Sequence, residues 1–279
     1  MISEVARAAT PLLLATIGEI YAERSGVLNL GVEGMMILGA SLAFLVANVT
    51  SNIYLAILLA SLAGSMLALI HAFFSISLKA NQVISGLALS MLGIGMSSII
   101  GRSMIGVPLE VGIESFAQNT AIAFPIFLSI FSWFLLFKTR LGIKIRACGD
   151  DPEAASSAGV NVRLIRYACV AIGGALAGLA GAYLSLFYTR MWIENMTAGM
   201  GWIAISLTIF SLWNPLLALI GAYLFGMLRI LQYSLQPLGI SAPLLMTIPY
   251  ITVILTFITL HIKKFRKFAR APAALGKPF

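Results

Sequence analysis

Polar residues interrupt this apolar chain at three places, and these are where we expect chemistry. The first is the stretch at 23–34, which combines carboxylates, an asparagine and glycines. A charge at the centre of a bilayer costs about 2.5–3.5 kcal/mol on insertion scales, so Glu33 must face a cavity, pair with a partner or lie near an interface. Two interpretations stay open. Asn29 and Glu33 line a passage for a polar solute, or Glu33 ties neighbouring helices together.

The second place is the polar connection at 138–166. Within it, Asp150 or Asp151 can cap a helix that begins at Pro152, and Gly159 can end that helix. This pattern predicts a short solvated helix between two membrane spans. Connections between helices usually have about 4–6 residues, so a connection of this length is expected to bind something.

The third place is a set of polar side chains near the ends and breaks of the apolar segments. Neutral polar groups along a passage suit an uncharged substrate with many hydrogen-bonding groups. Taken singly, each such residue is more often a hydrogen-bond partner between helices. The candidates for lining a passage are Asn29, Glu33, Asn81, Gln82, Ser85, Asn195, Thr197 and Trp202.

The chain lacks the common motifs of catalysis and metal binding. It contains no Gly-x-x-x-x-Gly-Lys-Ser/Thr phosphate loop, no nucleophile elbow and no metal-binding motif. Its two cysteines, Cys148 and Cys169, are too few for a disulfide framework or a thiolate metal site. We therefore predict a non-catalytic chain without a cofactor of its own. Energy for its work must come from an ion gradient or from another chain.

The polar places are separated by segments apolar enough for membrane helices. The 279 residues are 60% apolar and 10% charged, with a mean hydropathy of +0.98, which is far from the composition of a soluble domain. A membrane helix needs roughly 20 apolar residues, which predicts an all-α polytopic fold of about 8–10 spans in a single domain, residues 1–279. Candidate spans occupy residues 5–21, 35–49, 53–78, 83–100, 121–137, 167–188, 199–213, 216–233 and 244–262.

Two of these candidates, residues 35–49 and 199–213, are short for a full crossing. We expect broken or partly re-entrant helices there, which are tolerated at membrane depth only inside protein or beside a water-filled cavity. One short span in each half is also compatible with an inverted structural repeat. Small residues at spacings of three and four within 173–181 predict close helix packing.

The basic residues predict the orientation. Of 18 lysines and arginines, 12 lie in the connection 138–166 or after His261, and cytoplasmic loops carry such residues in excess. This places the connection and a basic tail at 263–279 in the cytoplasm, with the chain in the plasma membrane and its amino terminus outside. The basic residues flank apolar spans instead of forming a stripe with exposed aromatics, so we predict no nucleic-acid partner.

Two motifs resemble those of known transporters. Glu153-Ala154-Ala155-x-x-x-Gly159 resembles the cytoplasmic loop of ABC importer permeases that docks a short coupling helix on the ATPase. The stretch at 23–34, Glu-Arg-Ser-Gly-Val-Leu-Asn-Leu-Gly-Val-Glu-Gly, is similar to a signature of the branched-chain amino acid, ribose and nucleoside permeases. The closest resemblance is to nucleoside permeases served by basic-membrane-protein-type binding proteins. Similarity continues through residues 146–159, 173–184, 196–204, 213–215 and 249–250, and so covers nearly the whole chain.

The resemblance implies half of a nucleoside importer. Its expected partners are a second, different permease chain, an ATPase that binds the ATP and Mg²⁺, and an extracytoplasmic binding protein. Asp150 and Asp151 depart from the acidic and asparagine pair that related permeases often carry there. The resemblance assigns coupling to the ATPase to Asp151, Pro152, Glu153, Ala154, Ala155, Gly159, Val160 and Asn161.

Two other classes of function remain for comparison. A secondary transporter driven by an ion gradient would use intramembrane carboxylates, for which Glu19, Glu23 and Glu33 are available. It would leave the polar connection without a role. A purely structural membrane protein predicts no loss of transport when Glu153 or Gly159 is altered.

Overall fold

Helices make up nearly all of the regular structure that can be described. The computed structural model describes residues 2–112, 115–236, 247, 251, 254, 255, 258 and 271–277. In these residues we number ten α-helices: α1 (Ile2–Arg24), α2 (Val32–Thr50), α3 (Ile53–Ala72), α4 (Gln82–Gly101), α5 (Ser115–Lys138), α6 (Arg140–Asp150), α7 (Pro152–Ser157), α8 (Val162–Tyr183), α9 (Met200–Phe210) and α10 (Pro215–Leu235). Single π-helical turns, Phe73–Ser77 and Leu184–Tyr188, extend α3 and α8.

Six of these segments are long and apolar enough to cross a membrane, which confirms the predicted polytopic all-α fold. They are Val32–Thr50, Ile53–Ser77, Gln82–Met104, Ala117–Lys138, Val162–Tyr188 and Pro215–Gln232. The predicted span at 244–262 lies outside the described residues, apart from positions 247, 251, 254, 255 and 258. The predicted basic tail at 263–279 also lies outside them, except for residues 271–277.

The two segments predicted to be short have different outcomes. The prediction was wrong for α2, which has 19 residues because Val32, Glu33 and Gly34 form its buried first turn. Protein groups satisfy the Glu33 carboxylate there, so the helix extends into the polar stretch. The prediction is confirmed for α9, which has 11 residues.

The polar connection contains two helices where the sequence predicted one. The additional helix, α6, begins after Thr139, whose hydroxyl accepts a hydrogen bond from the Gly142 amide at 3.2 Å. It buries Ile145 and Cys148 on one side, although its basic residues gave no apolar run from which to predict it. The short helix predicted after Asp151 follows directly as α7.

Helix α1 lies inside the bundle, with α8, α9 and α10 packed around it. Its polar residues Thr16, Glu19 and Glu23 are buried, at 0–1% exposed. Because protein surrounds α1, these groups meet neighbouring side chains and backbone instead of lipid. This enclosure lets a helix with two carboxylates on one face lie in an apolar bundle.

The contact of α8 with α2 and α3 is made by glycine. A Cβ added at Gly39 would lie 2.7 Å from the Gly178 Cα, and one added at Gly64 would lie 2.9 Å from the same atom. Such distances show that the backbones of the three helices approach as closely as small residues permit. The close packing predicted for residues 173–181 is therefore confirmed.

We expect Gly178→Leu to destabilise the bundle, because its side chain would force α8 away from α3. Overpacking usually costs about 1–3 kcal/mol, and here the obstructing atoms belong to backbone. The apparent melting temperature of the purified chain in detergent should fall, together with its level in the membrane.

Gly95→Leu is the matched control, since no atom lies within 4 Å of a Cβ added there. It should leave both measurements unchanged. Equal melting temperatures for the two variants would contradict the packing described for α8.

Candidate functional site

Helix α7 is fixed at its start by a side-chain cap. The Asp151 carboxylate accepts a hydrogen bond from the Ala154 amide at 3.0 Å, and Pro152 occupies the first turn. Of the two aspartates that the sequence offered, Asp151 is the cap and Asp150 is the last residue of α6. The predicted short helix and its cap are thus confirmed.

The other end of α7 is equally well defined. Gly159 has a φ of +80°, and the Val160 amide donates to the Ala155 carbonyl at 3.0 Å, which closes the helix as predicted. The Asn161 side chain then caps α8 by accepting from the Leu164 amide at 3.0 Å. Ala155 packs with Cys148 and Val162, and the side chains of Glu153, Ala154, Ser156 and Ser157 are exposed. The result is a small helix with one buried side and a solvated face.

Arg166 connects the end of α6 to the turn after α1. It is 1% exposed, and its guanidinium donates to the Ser25 carbonyl at 3.0 Å and to the Cys148 carbonyl at 3.2 Å. Burial raises the pKa of the Cys148 thiol, and the nearby Arg166 charge opposes that rise. From the sequence, Arg166 is only one of the basic residues of the polar connection. Its position directly before the apolar span predicted at 167–188 was the available signal.

The irregular turn at 25–31, between α1 and α2, is held by buried side chains. The Leu28 amide donates to Gln82 at 2.7 Å, and the His71 ring contacts the Leu28 carbonyl at 3.0 Å. The Asn29 amide donates to Glu19 at 3.1 Å. Such bonding is needed because backbone groups without partners are costly away from water. The turn is therefore a rigid connection and not a loose loop.

Glu33 joins α2 to the start of α9. Its carboxylate is 3% exposed and accepts from the Thr197 hydroxyl at 2.6 Å, the Gly199 amide at 2.9 Å and the Gly201 amide at 2.6 Å. The first amides of a helix have no partner within the helix, and its dipole favours a negative charge there. Glu33 therefore acts as a cap on α9 supplied by another helix.

The position of Glu33 shows that α9 begins deep in the bundle. A Cβ added at neighbouring Gly34 would lie 2.6 Å from the Ser90 Cα, and Ser90 is eight residues into α4, or about 12 Å along it. The other end of α9 is anchored to α1. There the Trp213 indole donates to the Glu23 carboxylate, and Arg24 donates to the Trp213 carbonyl at 3.1 Å. The short helix thus runs between two polar anchors.

Most of the residues predicted to line a passage are either buried or exposed, and these form two groups. The buried residues with hydrogen-bond partners are Asn29, Glu33, Gln82 and Thr197, of which Glu33 and Thr197 are in direct contact. Ser85 is half-buried and bonded to His71 at 3.1 Å. The exposed residues are Asn81, Asn195 and Trp202, and Asn81 caps α4. A lining role for either group stays a prediction, and the described residues contain no cluster of metal-ligating side chains.

We expect Glu33→Gln to lower the apparent melting temperature of the chain. The amide group would present N–H to a backbone N–H, and a buried donor left unpaired costs about 1–3 kcal/mol. Glu194→Gln, an exposed carboxylate in the segment before α9, is the control and should melt like the unmodified chain. Unchanged melting of Glu33→Gln combined with reduced transport would instead favour a lining role for this carboxylate.

Comparison with known proteins agrees with the resemblance found in the sequence. The family model for the branched-chain amino acid transport system, permease component, matches residues 1–260. A putative glucose ABC transporter permease protein of Haloferax volcanii is 44% identical, over 86% of this chain and 79% of the relative. A guanosine ABC transporter permease protein of Bacillus subtilis is 33% identical, over 97% and 93%.

A nucleoside ABC transporter permease protein of Lactococcus lactis is 31% identical, over 86% of this chain and 83% of the relative. No solved structure matches the chain. The family match covers both the turn at 25–31 and the α6–α7 region, which are the parts joined by Arg166. The chain therefore belongs to the family of permease components of the branched-chain amino acid transport system, which are transmembrane subunits of ABC transporters.

Proposed function

We propose that this chain is the permease subunit of an ATP-driven nucleoside importer and is coupled to a separate ATPase through α7. The observation that carries the proposal is the bonded path from α7 into the bundle. Arg166 joins the carbonyl of Cys148, at the end of α6, to the carbonyl of Ser25, at the end of α1. Because Ala155 of α7 packs with Cys148, a displaced α7 would act on the membrane helices through this packing and through the hydrogen bonds of Arg166.

The residues around α7 have distinct roles in this proposal. Glu153 and Ala154 present the exposed face to the ATPase, and Ala155 and Val160 pack the helix against its neighbours. Asp151 and Pro152 fix its start, Gly159 allows the turn after it, and Asn161 starts α8. This chain thus supplies mechanical coupling, while the ATPase binds ATP and Mg²⁺ and carries out the hydrolysis.

The transport cycle follows from differential binding. ATP favours the closed arrangement of the ATPase domains, and this preference shifts the permease between outward-open and inward-open states. In this chain, movement of α7 would pass through Arg166 to the turn at 25–31 and then to α2. Glu33 would carry it from α2 to α9. A second permease chain would complete the passage, and an extracytoplasmic binding protein would deliver the substrate.

The substrate class rests on the relatives. Two of the three described above are named for guanosine or nucleosides, which are neutral and rich in hydrogen-bonding groups. Glucose is the second candidate, because the relative at 44% identity is named as a putative glucose permease. Uptake of labelled guanosine, measured in competition with unlabelled glucose and other sugars, decides between them.

We expect Gly159→Trp to abolish transport while the protein still inserts in the membrane. No atom lies within 4 Å of a Cβ added at Gly159, so the indole would project from the surface on which the ATPase docks. Gly159→Asn is the matched control, because asparagine tolerates positive φ and has a small side chain. It should keep most of the uptake. Normal uptake by the tryptophan variant would contradict docking at α7.

Copurification tests the proposed complex directly. The tagged chain, extracted gently from its own membrane, should bring down an ATPase and a second permease, and guanosine uptake should fail on ATP depletion. It should survive collapse of the proton and sodium gradients. Recovery of this chain alone, in a form that transports on an ion gradient after reconstitution, would replace the proposal with a secondary transporter.

A further inference from the structure

The segment at 271–277 near the carboxyl end packs against the coupling region. Its Ala274 amide donates to the Gly149 carbonyl at 2.8 Å, and its Gly276 amide donates to the Gly26 carbonyl at 3.3 Å. Pro272 and Ala274 are buried, whereas Ala273 between them is exposed. The two hydrogen bonds and the two buried side chains hold the segment against the end of α6 and the turn at 25–31.

The segment is shaped for this site by its own backbone. The Leu275 amide donates to the Pro272 carbonyl at 3.0 Å, and the Lys277 amide donates to the Ala274 carbonyl at 3.1 Å. Gly276 has a φ of +74°, a conformation that glycine adopts without strain. These two turns present the amides of Ala274 and Gly276 to the bundle. The small side chain of Ala274 is buried, at 7% exposed.

The carbonyls that this segment binds are adjacent to those that Arg166 binds. At the end of α6, the Arg166 guanidinium donates to the Cys148 carbonyl, and the segment donates to the carbonyl of the next residue, Gly149. In the turn after α1, the Arg166 guanidinium donates to the Ser25 carbonyl, and the segment donates to the carbonyl of the next residue, Gly26. Two separate parts of the chain thus bridge the same two elements, one from within the bundle and one from its surface.

We propose that residues 271–277 are a positioning element of the coupling region, which holds the end of α6 against the turn at 25–31 when α7 is displaced. The proposal rests on the proposed coupling of α7 to an ATPase. Without the segment, the two elements would be joined by the close backbone approach of Gly149 to Gly26 and by the hydrogen bonds of Arg166. The segment adds a second bridge, made by backbone, so that α6 and the turn move together.

This role differs from a contribution to folding. The Gly149 and Gly26 carbonyls lie at the ends of α6 and α1, where water can replace the segment if it is removed. The close packing of the membrane helices is provided by contacts such as those of Gly39 and Gly64 with Gly178. Loss of the segment should therefore spare insertion and assembly but weaken the transfer of movement from α7.

A pair of aspartate variants tests this role in the complete importer. Ala274→Asp places a carboxylate at the buried residue whose amide binds the Gly149 carbonyl, and Ala273→Asp adds the same group at the exposed neighbour. We expect Ala274→Asp to reduce uptake about fivefold or more, the size of a typical coupling effect, with ATP hydrolysis and ATPase copurification retained. Ala273→Asp should match the unmodified importer in all three measurements.

Two results would overturn the proposal. One is uptake by Ala274→Asp equal to that of Ala273→Asp. The other is a parallel loss of uptake, hydrolysis and membrane level, which would mark a structural defect. The ratio of substrate transported to ATP hydrolysed is the decisive quantity, because a purely structural role does not change it.

Hydrogen exchange tests the bridge without any partner. Amides at 25–31 and 147–151 in the full chain should exchange more slowly than in a chain that ends at Arg270. Equal exchange in the two chains would overturn the bridge itself. If the bridge is present but no ATPase copurifies with the unmodified chain, the proposed function fails while the contact of residues 271–277 stands.

Discussion

The structure depends on the requirement that backbone polar groups at membrane depth find partners within the protein. Two irregular segments, at 25–31 and before α9, enter the bundle and would leave several amides without partners. Buried side chains meet this demand, and Glu33 does so most fully, with three hydrogen bonds to the start of α9. Its charge is stabilised by these donors and by the helix dipole, so the carboxylate and the broken helix depend on each other.

The same bonding makes the breaks rigid. A short helix that ended in free loops would tilt independently, whereas α9 is bound to Glu33 at one end and to Glu23 and Arg24 at the other. Movement of α2 or α1 must then carry α9 with it. Arg166 extends this connection to α6, because its guanidinium donates to the carbonyls of Ser25 and Cys148.

The interior position of α1 explains why charge and close packing occur together. Glycine contacts of α8 with α2 and α3 build a dense layer of helices, and α1 lies against α8 with its carboxylates shielded from lipid. The polar side chains of this enclosed helix are shielded from water as well as from lipid. A hydrogen bond is stronger where water is excluded. Helices with fewer buried residues, such as α4 and α5, form the outer part of the bundle.

From the sequence alone one can predict the all-α membrane fold, the short span at α9, the capped helix after Asp151 and the small residues of α8 that pack against other helices. These follow from hydropathy, cap chemistry and residue size, which act over a few neighbouring residues. The packing of the helices is what lets Glu33 cap α9 from 166–168 residues away, and what brings Arg166 and residues 271–277 together at the ends of α6 and α1. The sequence pattern could not predict these pairings. A polar residue in an apolar segment indicates that its side chain needs a partner, but the packing of distant helices decides which group that partner is.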